Sequence, residues 1–178
     1  MRSAVVTAYL ALGANLGDPV AQIADAIRRL GQVPGLRPRR RARLYGSTPV
    51  GPQDQPNFVN TAIEIETALA PLDLLDAAQR VEDAMGRVRT QRWGPRVIDI
   101  DVALYADVTW SDDRLVVPHP ELCRRSFVLR PLADLCPELG VPPPPGAAAL
   151  GSARTVAAWS ARVREPPIDV LDDAVQTL

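Results

Sequence analysis

The order in which hydrophobic periodicity changes along this chain leaves few folds open to it. Alternation with period two is typical of strands, and apolar spacing of three to four is typical of helices. The predicted elements are a strand over Val5–Leu12, a helix from Pro19 to Leu30, strands over Leu36–Ser47 and Phe58–Thr67, a helix from Pro71 to Met85 and a strand over Val97–Leu104. Two strand–helix–strand halves in tandem predict an α+β fold of the ferredoxin-like βαββαβ type, an antiparallel sheet backed by helices.

Local end signals support both helices. Asp18 is a capping residue directly before a proline, and Gly31 and Gly86 follow the last apolar positions of the two helices. The apolar stripe of the first helix comprises Val20, Ile23, Ile27 and Leu30, and that of the second comprises Leu74, Leu75, Ala78, Val81 and Met85. The continuous apolar run of the first strand predicts burial on both of its sides.

The rest of the chain predicts a C-terminal extension. A short hairpin should follow Asp107, a helical stretch should cover residues 127–135, and a small helix is expected over Thr155–Val163. Residues 142–151 are rich in proline and alanine and are typical of a linker. We therefore expect one domain over residues 1–165 and a loosely attached tail over residues 166–178.

Composition excludes several classes of protein. The 178 residues are 47% hydrophobic, enough for a single domain with its own core. A net charge of −1 argues against a protein whose main partner is nucleic acid. All 20 basic residues are arginine, whereas the Walker phosphate loop and the protein-kinase fold both use a lysine on the nucleotide phosphates.

Two features bear on where the protein works. Cys123 and Cys136 are too isolated for a disulfide framework, so reduced thiols and a cytoplasmic location are expected. No uncharged apolar run reaches about 18 residues, so no membrane span is expected. We expect a monomer.

An arginine-rich turn runs directly into a strand that carries two carboxylates. Asp99 and Asp101 are two residues apart, so on a strand they share a face, opposite an apolar face. Such carboxylates suit Mg²⁺, which also takes substrate phosphates as ligands, and the flanking arginines can fork onto those phosphates. An isolated Asp-x-Asp is more often only the wet face of an edge strand. Four arginines, Arg87, Arg89, Arg92 and Arg96, together with a Gly-Pro turn favour a site.

A second basic run covers residues 37–43. A ferredoxin-like RNA-binding module could use the Arg39–Arg43 face, but the alternation of Arg39, Arg41 and Arg43 reads more simply as a solvated strand face. An RNA-binding sheet would normally also show stacking aromatics and a basic overall charge, and the sequence has neither.

Several motifs, in order and at matching spacing, resemble one enzyme family over residues 4–139. They are Leu12-Gly13-Ala14-Asn15-Leu16-Gly17, Gly51-Pro52-Gln53-Asp54-Gln55-Pro56-Asn57-Phe58-Val59-Asn60, Gly86-Arg87-Val88-Arg89, Arg92-Trp93-Gly94-Pro95-Arg96-Val97-Ile98-Asp99-Ile100-Asp101 and Val117-Pro118-His119-Pro120. The family is 6-hydroxymethyl-7,8-dihydropterin pyrophosphokinase. The resemblance implies transfer of the terminal diphosphate of ATP to the hydroxyl of a reduced pterin, with release of AMP, in folate biosynthesis.

The resemblance also implies the site. Two Mg²⁺ ions would bind Asp99 and Asp101, with Arg89 and Arg92 as further catalytic residues. The residues that match the family's ATP site are Gln79, Glu82, Arg89, Arg92, Val102, Arg114, His119 and Arg125. Those that match its pterin site are Ser47, Val50, Phe58, Asn60, Trp93 and Phe127. Gly13, Asn15 and Pro95 match architectural positions.

Three alternatives stay open at this stage. Phe58 and Phe127 could be ordinary core residues, since their residue type alone favours burial. His119 could be a loop histidine held between two prolines. A kinase for another hydroxymethyl heterocycle would share the phosphate chemistry. We also expect residues 86–95 to form a lid that orders over ATP.

Overall fold

The computed structural model describes residues 4–88, 94–145, 151–152, 154–163, 165, 168–172 and 174–178. Its elements are β1 (Val6–Ala14), α1 (Pro19–Leu30), β2 (Leu36–Arg41), β3 (Leu44–Ser47), β4 (Phe58–Thr67), α2 (Pro71–Ala84), β5 (Asp99–Tyr105), β6 (Trp110–Ser111), β7 (Val116–Val117), α3 (Ser126–Leu135), β8 (Gly140–Val141), β9 (Arg154–Thr155), α4 (Val156–Arg162), β10 (Asp169–Asp172) and β11 (Gln176–Thr177). A short 3₁₀ turn covers Leu122–Arg124.

The main sheet is antiparallel. Among the described residues it has seven strands, with the order β10–β3–β4–β1–β5, and β2 pairs with β4 on one side and with β11 on the other. The predicted α+β class with an antiparallel sheet is confirmed. β1 and β4 lie at its centre, so both are flanked by strands along their length.

Both faces of the sheet are covered by helices. One face packs against α1 and α2, and its core includes Leu10, Leu12, Ile63 and Ile100. The other face packs against α3, which in turn contacts α4 through Trp159. Successive residues of β1 therefore enter different cores, which confirms the prediction that this strand is buried on both sides.

The helices α1 and α2 form where the end signals in the sequence predict them. The Asp18 side chain accepts a hydrogen bond from the backbone N–H of Ala21, and the first helix ends at Leu30. Gly86 follows α2 with a φ of +84°, a left-handed conformation that glycine adopts without strain. Val20 is an exception, since 48% of its surface is exposed and it does not join the predicted stripe.

The single strand predicted over Leu36–Ser47 is wrong, because two strands, β2 and β3, cover this range. Arg41 lies opposite Ile63, and Tyr45 lies opposite Asn60. From Arg41 to Tyr45 the chain advances four residues, whereas β4 advances only three, so there is one extra residue between β2 and β3. The extra residue is accommodated as a bulge around Thr61, whose hydroxyl donates to the carbonyl oxygens of Ala42 and Arg43 at 3.1 and 3.0 Å. The hydrogen bonds of the Thr61 hydroxyl on β4 therefore lie where the strand predicted from alternation is interrupted.

The solvated strand face predicted for Arg39, Arg41 and Arg43 is wrong for Arg41, whereas the Arg39 side chain is 40% exposed. Only 6% of Arg41 is exposed. The ion pairs of this region are Arg39–Glu66 at 3.6 Å, Arg40–Glu64 at 2.5 Å, Arg41–Asp172 at 2.6 Å and Arg43–Asp134 at 2.5 Å. Carboxylates from β4, α3 and β10 thus neutralise these arginines, which leaves the RNA-binding alternative without support.

The strand of the two aspartates also departs from strict alternation. Leu10 lies opposite Val102 and Tyr9 opposite Leu104, so Ala103 is an additional residue on β5. Ile98, Ile100 and Val102 enter the core under α1 and α2 as predicted, whereas Leu104 enters the core under α3. The bulge lies after Asp101, so the two carboxylates keep a common face.

The C-terminal elements agree in part with the prediction. The hairpin of β6 and β7, α3 and α4 form as expected. The tail predicted to be loosely attached contributes β10 and β11 to edges of the sheet. Its division from a domain of residues 1–165 stays a prediction. None of the helices in the described part of the chain combines the length and apolar character needed to cross a membrane.

Candidate active site

A cavity of about 270 Å³ opens where β1, β4 and β5 meet the start of α3. The residues that line it are Ala11, Leu12, Gly13, Ser47, Thr48, Val50, Phe58, Asn60, Arg87, Arg96, Asp99, Asp101, His119, Glu121, Arg125, Phe127 and Val128. They come from six separate stretches of the chain. The sheet therefore brings together side chains that lie far apart in sequence.

Gly13 forms part of the cavity wall near the end of β1. It lies opposite Asp99 on one neighbouring strand and opposite Asn60 on the other. A Cβ atom at this position would stand 3.0 Å from Oδ1 of Asn60 and 3.9 Å from Cδ1 of Phe58. The missing side chain thus leaves room for the Asn60 amide and the Phe58 ring to face the cavity.

Asn15 ties three segments together beneath the cavity and is only 2% exposed. Its amide nitrogen donates to Oε1 of Gln55 at 3.0 Å and to the carbonyl oxygen of Pro56 at 2.9 Å. Its Oδ1 accepts a hydrogen bond from the backbone N–H of Arg96 at 2.8 Å. These contacts are consistent with the architectural role that the sequence predicts for Asn15.

The acidic end of the cavity carries Asp99 and Asp101 on one face of β5. Asp99 forms ion pairs with Arg87, at 2.5 Å, and with Arg96. Arg87 also pairs with Glu82, a side chain that is 1% exposed and accepts a hydrogen bond from the Ile100 backbone at 2.7 Å. Two guanidinium groups thus neutralise the Asp99 carboxylate, and charges of both signs lie close together in this part of the cavity.

Asp101 and His119 lie beside this cluster. Desolvation and the negative charges of Asp99 and Glu82 raise the pKa of the Asp101 carboxyl above its usual range. Desolvation lowers the pKa of His119, which favours the neutral form of its ring. Its Nε2 stands 3.9 Å from Oδ2 of Asp101, and its Nδ1 accepts a hydrogen bond from the Glu121 backbone at 3.2 Å. His119 is thus more than a spacer between two prolines, because it faces the carboxylate.

Two phenylalanine rings also line the cavity, and the Arg96 guanidinium that pairs with Asp99 lies 5.9 Å from the centre of the Phe58 ring. Phe58 begins β4, Phe127 is the second residue of α3, and both rings are partly exposed to the cavity. The amide nitrogen of Asn60 donates to Oγ of Ser47 at 2.8 Å, which fixes the orientation of the amide. Two apolar rings near an oriented amide can hold a flat ring and read its polar edge.

Arg125 lies directly before α3 and lines the cavity. Its guanidinium pairs with Glu121 at 3.0 Å and with Glu165 at 2.9 Å. The charge is therefore oriented before any ligand arrives, which suits an anion-binding role.

The structure brings together nine of the predicted site residues. Ser47, Val50, Phe58, Asn60, Asp99, Asp101, His119, Arg125 and Phe127 all line the cavity. Four others do not line it, namely Gln79, Glu82, Val102 and Arg114. Val102 is a core residue, and Arg114 pairs with Asp76 on α2. The predicted residues Arg89, Arg92 and Trp93, and with them half of the predicted lid, lie outside the described residues.

Some cavity residues were not among those that the family resemblance implies. The sequence predicted Arg87 and Arg96 as phosphate-binding arginines near the carboxylates, and the fold adds that both contact Asp99. Glu121 is four residues before Arg125, a spacing that favours an ion pair. Thr48 and Val128 adjoin predicted residues in the sequence, and no pattern distinguishes them.

Known proteins resemble this chain in sequence. The 2-amino-4-hydroxy-6-hydroxymethyldihydropteridine pyrophosphokinase of Haemophilus influenzae is 43% identical over 138 residues, which cover 78% of this chain and 86% of that protein. The enzyme of the same name from Pseudomonas aeruginosa is 48% identical over 134 residues, which cover 75% of this chain and 83% of that protein.

A solved structure shares the fold. The crystal structure of wild-type Plasmodium falciparum HPPK-DHPS with pteroate matches with a TM-score of 0.67 at 15% identity. The match covers 91% of this chain and 43% of that chain, so this chain spans less than half of that structural relative.

The model of one protein family matches residues 9–137. The matched range contains every cavity residue. The chain belongs to the family of 7,8-dihydro-6-hydroxymethylpterin-pyrophosphokinases (HPPK).

Proposed function

We propose that this chain transfers the terminal diphosphate of ATP to the hydroxymethyl oxygen of 6-hydroxymethyl-7,8-dihydropterin and releases AMP, a step of folate biosynthesis. The observation that carries this proposal is that one cavity joins a carboxylate and arginine cluster to a pair of phenylalanine rings. Family membership supplies the reaction, and the cavity supplies surfaces of suitable chemistry for both substrates.

The reaction is a displacement at phosphorus. The hydroxymethyl oxygen forms a bond to the β-phosphorus, the bond between that phosphorus and the oxygen bridging to the α-phosphate breaks, and AMP leaves with the bridging oxygen. The hydroxyl proton is lost in the same transfer. Such reactions need an in-line arrangement and neutralisation of phosphate charge more than covalent help from the protein.

The arginines of the cavity fit the phosphate requirement. Arg87 and Arg96 approach the same carboxylate, so phosphate oxygens bound beside Asp99 would lie within reach of both guanidinium groups. Arg125 and His119 contribute a second cationic or hydrogen-bonding side of the cavity. Arg89 and Arg92 remain proposed phosphate ligands on the basis of their sequence positions.

The two phenylalanine rings of the cavity are suited to binding the pterin. A reduced pterin is a flat and polar bicycle, so stacking between Phe58 and Phe127 would hold its faces while Asn60 reads its edge. Ser47 orients that amide through its hydroxyl. Val50 and Trp93 complete the proposed pterin site, Val50 as a cavity residue and Trp93 from its sequence position.

We propose Mg²⁺, as two ions, at Asp99 and Asp101. The described ranges contain no group of three or more histidine, cysteine or acidic side chains that could hold a metal. We therefore propose that the substrate phosphates and water complete the ligand set. Two carboxylates on one strand face fit Mg²⁺, which completes its ligand set with water and substrate phosphates. When bound, the metal would supply Lewis-acid stabilisation of phosphate charge.

We also propose the finer points of architecture and setting. The order β5–β1–β4, with β2 and β3 beyond β4, supports a ferredoxin-like core with a C-terminal extension. The reduced state of Cys123 and Cys136, both buried and free, agrees with a cytoplasmic location. A monomer without nucleic-acid partners is consistent with the net charge of −1.

The test is to identify both products. The protein is incubated with ATP, Mg²⁺ and 6-hydroxymethyl-7,8-dihydropterin, and nucleotides are separated by chromatography. We expect AMP and a pterin diphosphate in equal amounts. ADP as the nucleotide product, or turnover only with a different hydroxymethyl heterocycle, would contradict the proposal.

A variant tests the aromatic half of the site. Phe127→Ala should raise the KM for the pterin by about tenfold or more and leave the KM for ATP nearly unchanged, because loss of a stacking ring typically costs about 1–3 kcal/mol. Equal losses for both substrates, or general unfolding in circular dichroism, would show that Phe127 serves the core.

A further inference from the structure

Glu165 lies between α4 and β10 and reaches the start of α3. Its Oε1 accepts a hydrogen bond from Nη1 of Arg125 at 2.9 Å. Its Oε2 accepts from the backbone N–H of Ser126 at 2.7 Å and from the Ser126 hydroxyl at 3.0 Å. One carboxylate therefore holds both a cavity arginine and the first residue of a helix.

The helix needs this contact at its first turn. Arg125 occupies the capping position of α3, but its side chain makes no capping hydrogen bond. The first N–H groups of a helix lack partners within the helix, and a carboxylate there also interacts favourably with the helix dipole. Glu165 supplies this acceptor from about 40 residues further along the chain.

Three consecutive residues are thereby fixed at the cavity. Arg125 precedes Ser126, and Phe127 follows it as the second residue of α3. Arg125 and Phe127 both line the cavity, the first with a charged side chain and the second with an aromatic ring. A shift of the first turn of α3 would move both side chains together.

We propose that Glu165 is a positioning residue, which sets Arg125 for the phosphates of ATP and Phe127 for the pterin ring. This inference rests on the proposed function. Glu165 lies outside residues 9–137, the range that the family model matches. The C-terminal extension thus takes part in forming the site through the side chain of Glu165.

Kinetics of matched variants test the proposal. The full-length chain is compared with Glu165→Ala, Glu165→Gln, Arg125→Ala and the double variant that combines Arg125→Ala with Glu165→Ala. Glu138→Ala serves as the control, because this exposed carboxylate lies in the turn after α3 and outside the cavity lining. The readouts are kcat, the KM for each substrate and the midpoint of thermal unfolding.

Glu165→Ala should raise the KM for ATP about tenfold, which corresponds to about 1.4 kcal/mol, and raise the KM for the pterin by a smaller factor. In the Arg125→Ala background the same change should alter the KM for ATP by less than about twofold, because the residue through which it acts is gone. Glu165→Gln keeps an acceptor for the helix but loses the charge. It should therefore spare the KM for the pterin and raise that for ATP.

Three results would overturn the proposal. They are an unchanged KM for ATP in Glu165→Ala, an equal effect of that change with and without Arg125, and a lower unfolding midpoint with both KM values unchanged. If the alanine variant does not fold, a wild-type KM for ATP in Glu165→Gln has the same meaning. If the parent chain forms no AMP, the proposed function fails separately. Calorimetric binding of a non-hydrolysable ATP analogue with Mg²⁺ then decides whether Glu165 affects nucleotide affinity, and an unchanged Kd in Glu165→Ala overturns the positioning role.

Discussion

Two regions of this molecule are rich in arginine, and the fold uses them differently. We call Arg39, Arg40, Arg41 and Arg43 on β2 and next to β3 the strand cluster, and Arg87, Arg96 and Arg125 the cavity cluster. Every member of the strand cluster pairs with a carboxylate that lies outside the cavity lining. Each member of the cavity cluster pairs with a carboxylate that lines the cavity, Asp99 or Glu121. Arg87 and Arg125 also pair with Glu82 and Glu165, which lie outside the lining.

The comparison shows that the position of the partner, and not the number of arginines, decides the role. In the strand cluster, the pair of Arg43 with Asp134 fastens α3 to the sheet, and the pair of Arg41 with Asp172 fastens β10 and its neighbours. In the cavity cluster, the same chemistry lies beside open space, so a metal ion or phosphate can exchange with the protein's own partners. Stability should therefore depend on the first cluster, and turnover on the second.

The largest effect is expected at the acidic end of the cavity. Asp101→Asn should lower kcat by at least about 10³-fold, because it removes one of the two carboxylates proposed to hold Mg²⁺. The unfolding midpoint should not fall by more than about 2 °C, since desolvation and the negative charges of Asp99 and Glu82 already oppose the ionised carboxylate that this change removes. Asp107→Asn, an exposed carboxylate just beyond β5, is the control and should keep full activity. Near-normal AMP formation by Asp101→Asn would remove Asp101 from the catalytic site.

A smaller kinetic effect is expected from an arginine of the cavity cluster. Arg96→Ala should lower kcat by about 10²-fold, the usual effect of deleting one donor to developing charge. Arg39→Ala in the strand cluster should leave kcat unchanged and reduce stability by less than about 1 kcal/mol, because its pair with Glu66 is 3.6 Å long and solvent-exposed. Similar kinetics for the two variants would erase the distinction between the clusters.

The strand cluster should respond in stability. Asp134 is 6% exposed as a side chain and accepts hydrogen bonds from the Arg43 guanidinium and, at 2.9 Å, from the Tyr45 hydroxyl. Asp134→Ala should lower the free energy of unfolding by about 2 kcal/mol, because the buried Tyr45 hydroxyl and the partly exposed Arg43 guanidinium lose their acceptor. Denaturant titration measures the loss. A change in KM for either substrate without a loss of stability would contradict this assignment.

The smallest effect is a pH dependence of stability at Tyr45, which shares its partner Asp134 with Arg43 of the strand cluster. Burial and the hydrogen bond to Asp134 raise the pKa of Tyr45 to about 12, so the folded state keeps a proton that the unfolded state releases near pH 10. Stability from this group is fully present below pH 10 and is lost as pH rises towards 12. At pH 11 the loss should be about 1 kcal/mol. Tyr45→Phe should show a correspondingly shallower decline between pH 10 and 12, and an identical slope would refute the assignment.

Much of the core could be predicted because its signals are local. Asp18 caps α1, Gly86 adopts the left-handed conformation after α2, and the strand over Phe58–Thr67 forms as the alternation predicts. Each of these signals is contained within a few residues, so it does not depend on what packs against it. The motifs that identify the family are local in the same sense, and they predicted nine residues of the cavity.

The predictions of strand boundaries and of side-chain burial failed where pairing with residues far along the chain changes the local alternation. The bulge at Ala103 moves Leu104 to the other core, and the break before Leu44 forms around the Thr61 hydroxyl. Neither can be read from alternation, since an extra residue on one strand is defined only by its pairing with another.

By itself, the sequence determined the order of helices and strands as far as β5, except for the division of β2 from β3. It also determined the shared face of Asp99 and Asp101 and the family to which the chain belongs. Only the tertiary structure decided which arginines are neutralised, since Arg43 and Asp134 are 91 residues apart. It also decided that Glu165 reaches the start of α3, 39 residues earlier in the chain. The physical reason is that a capping residue or a strand period acts over one or two turns of backbone. The partner of a charge is fixed by whichever segment the completed fold brings within hydrogen-bond distance.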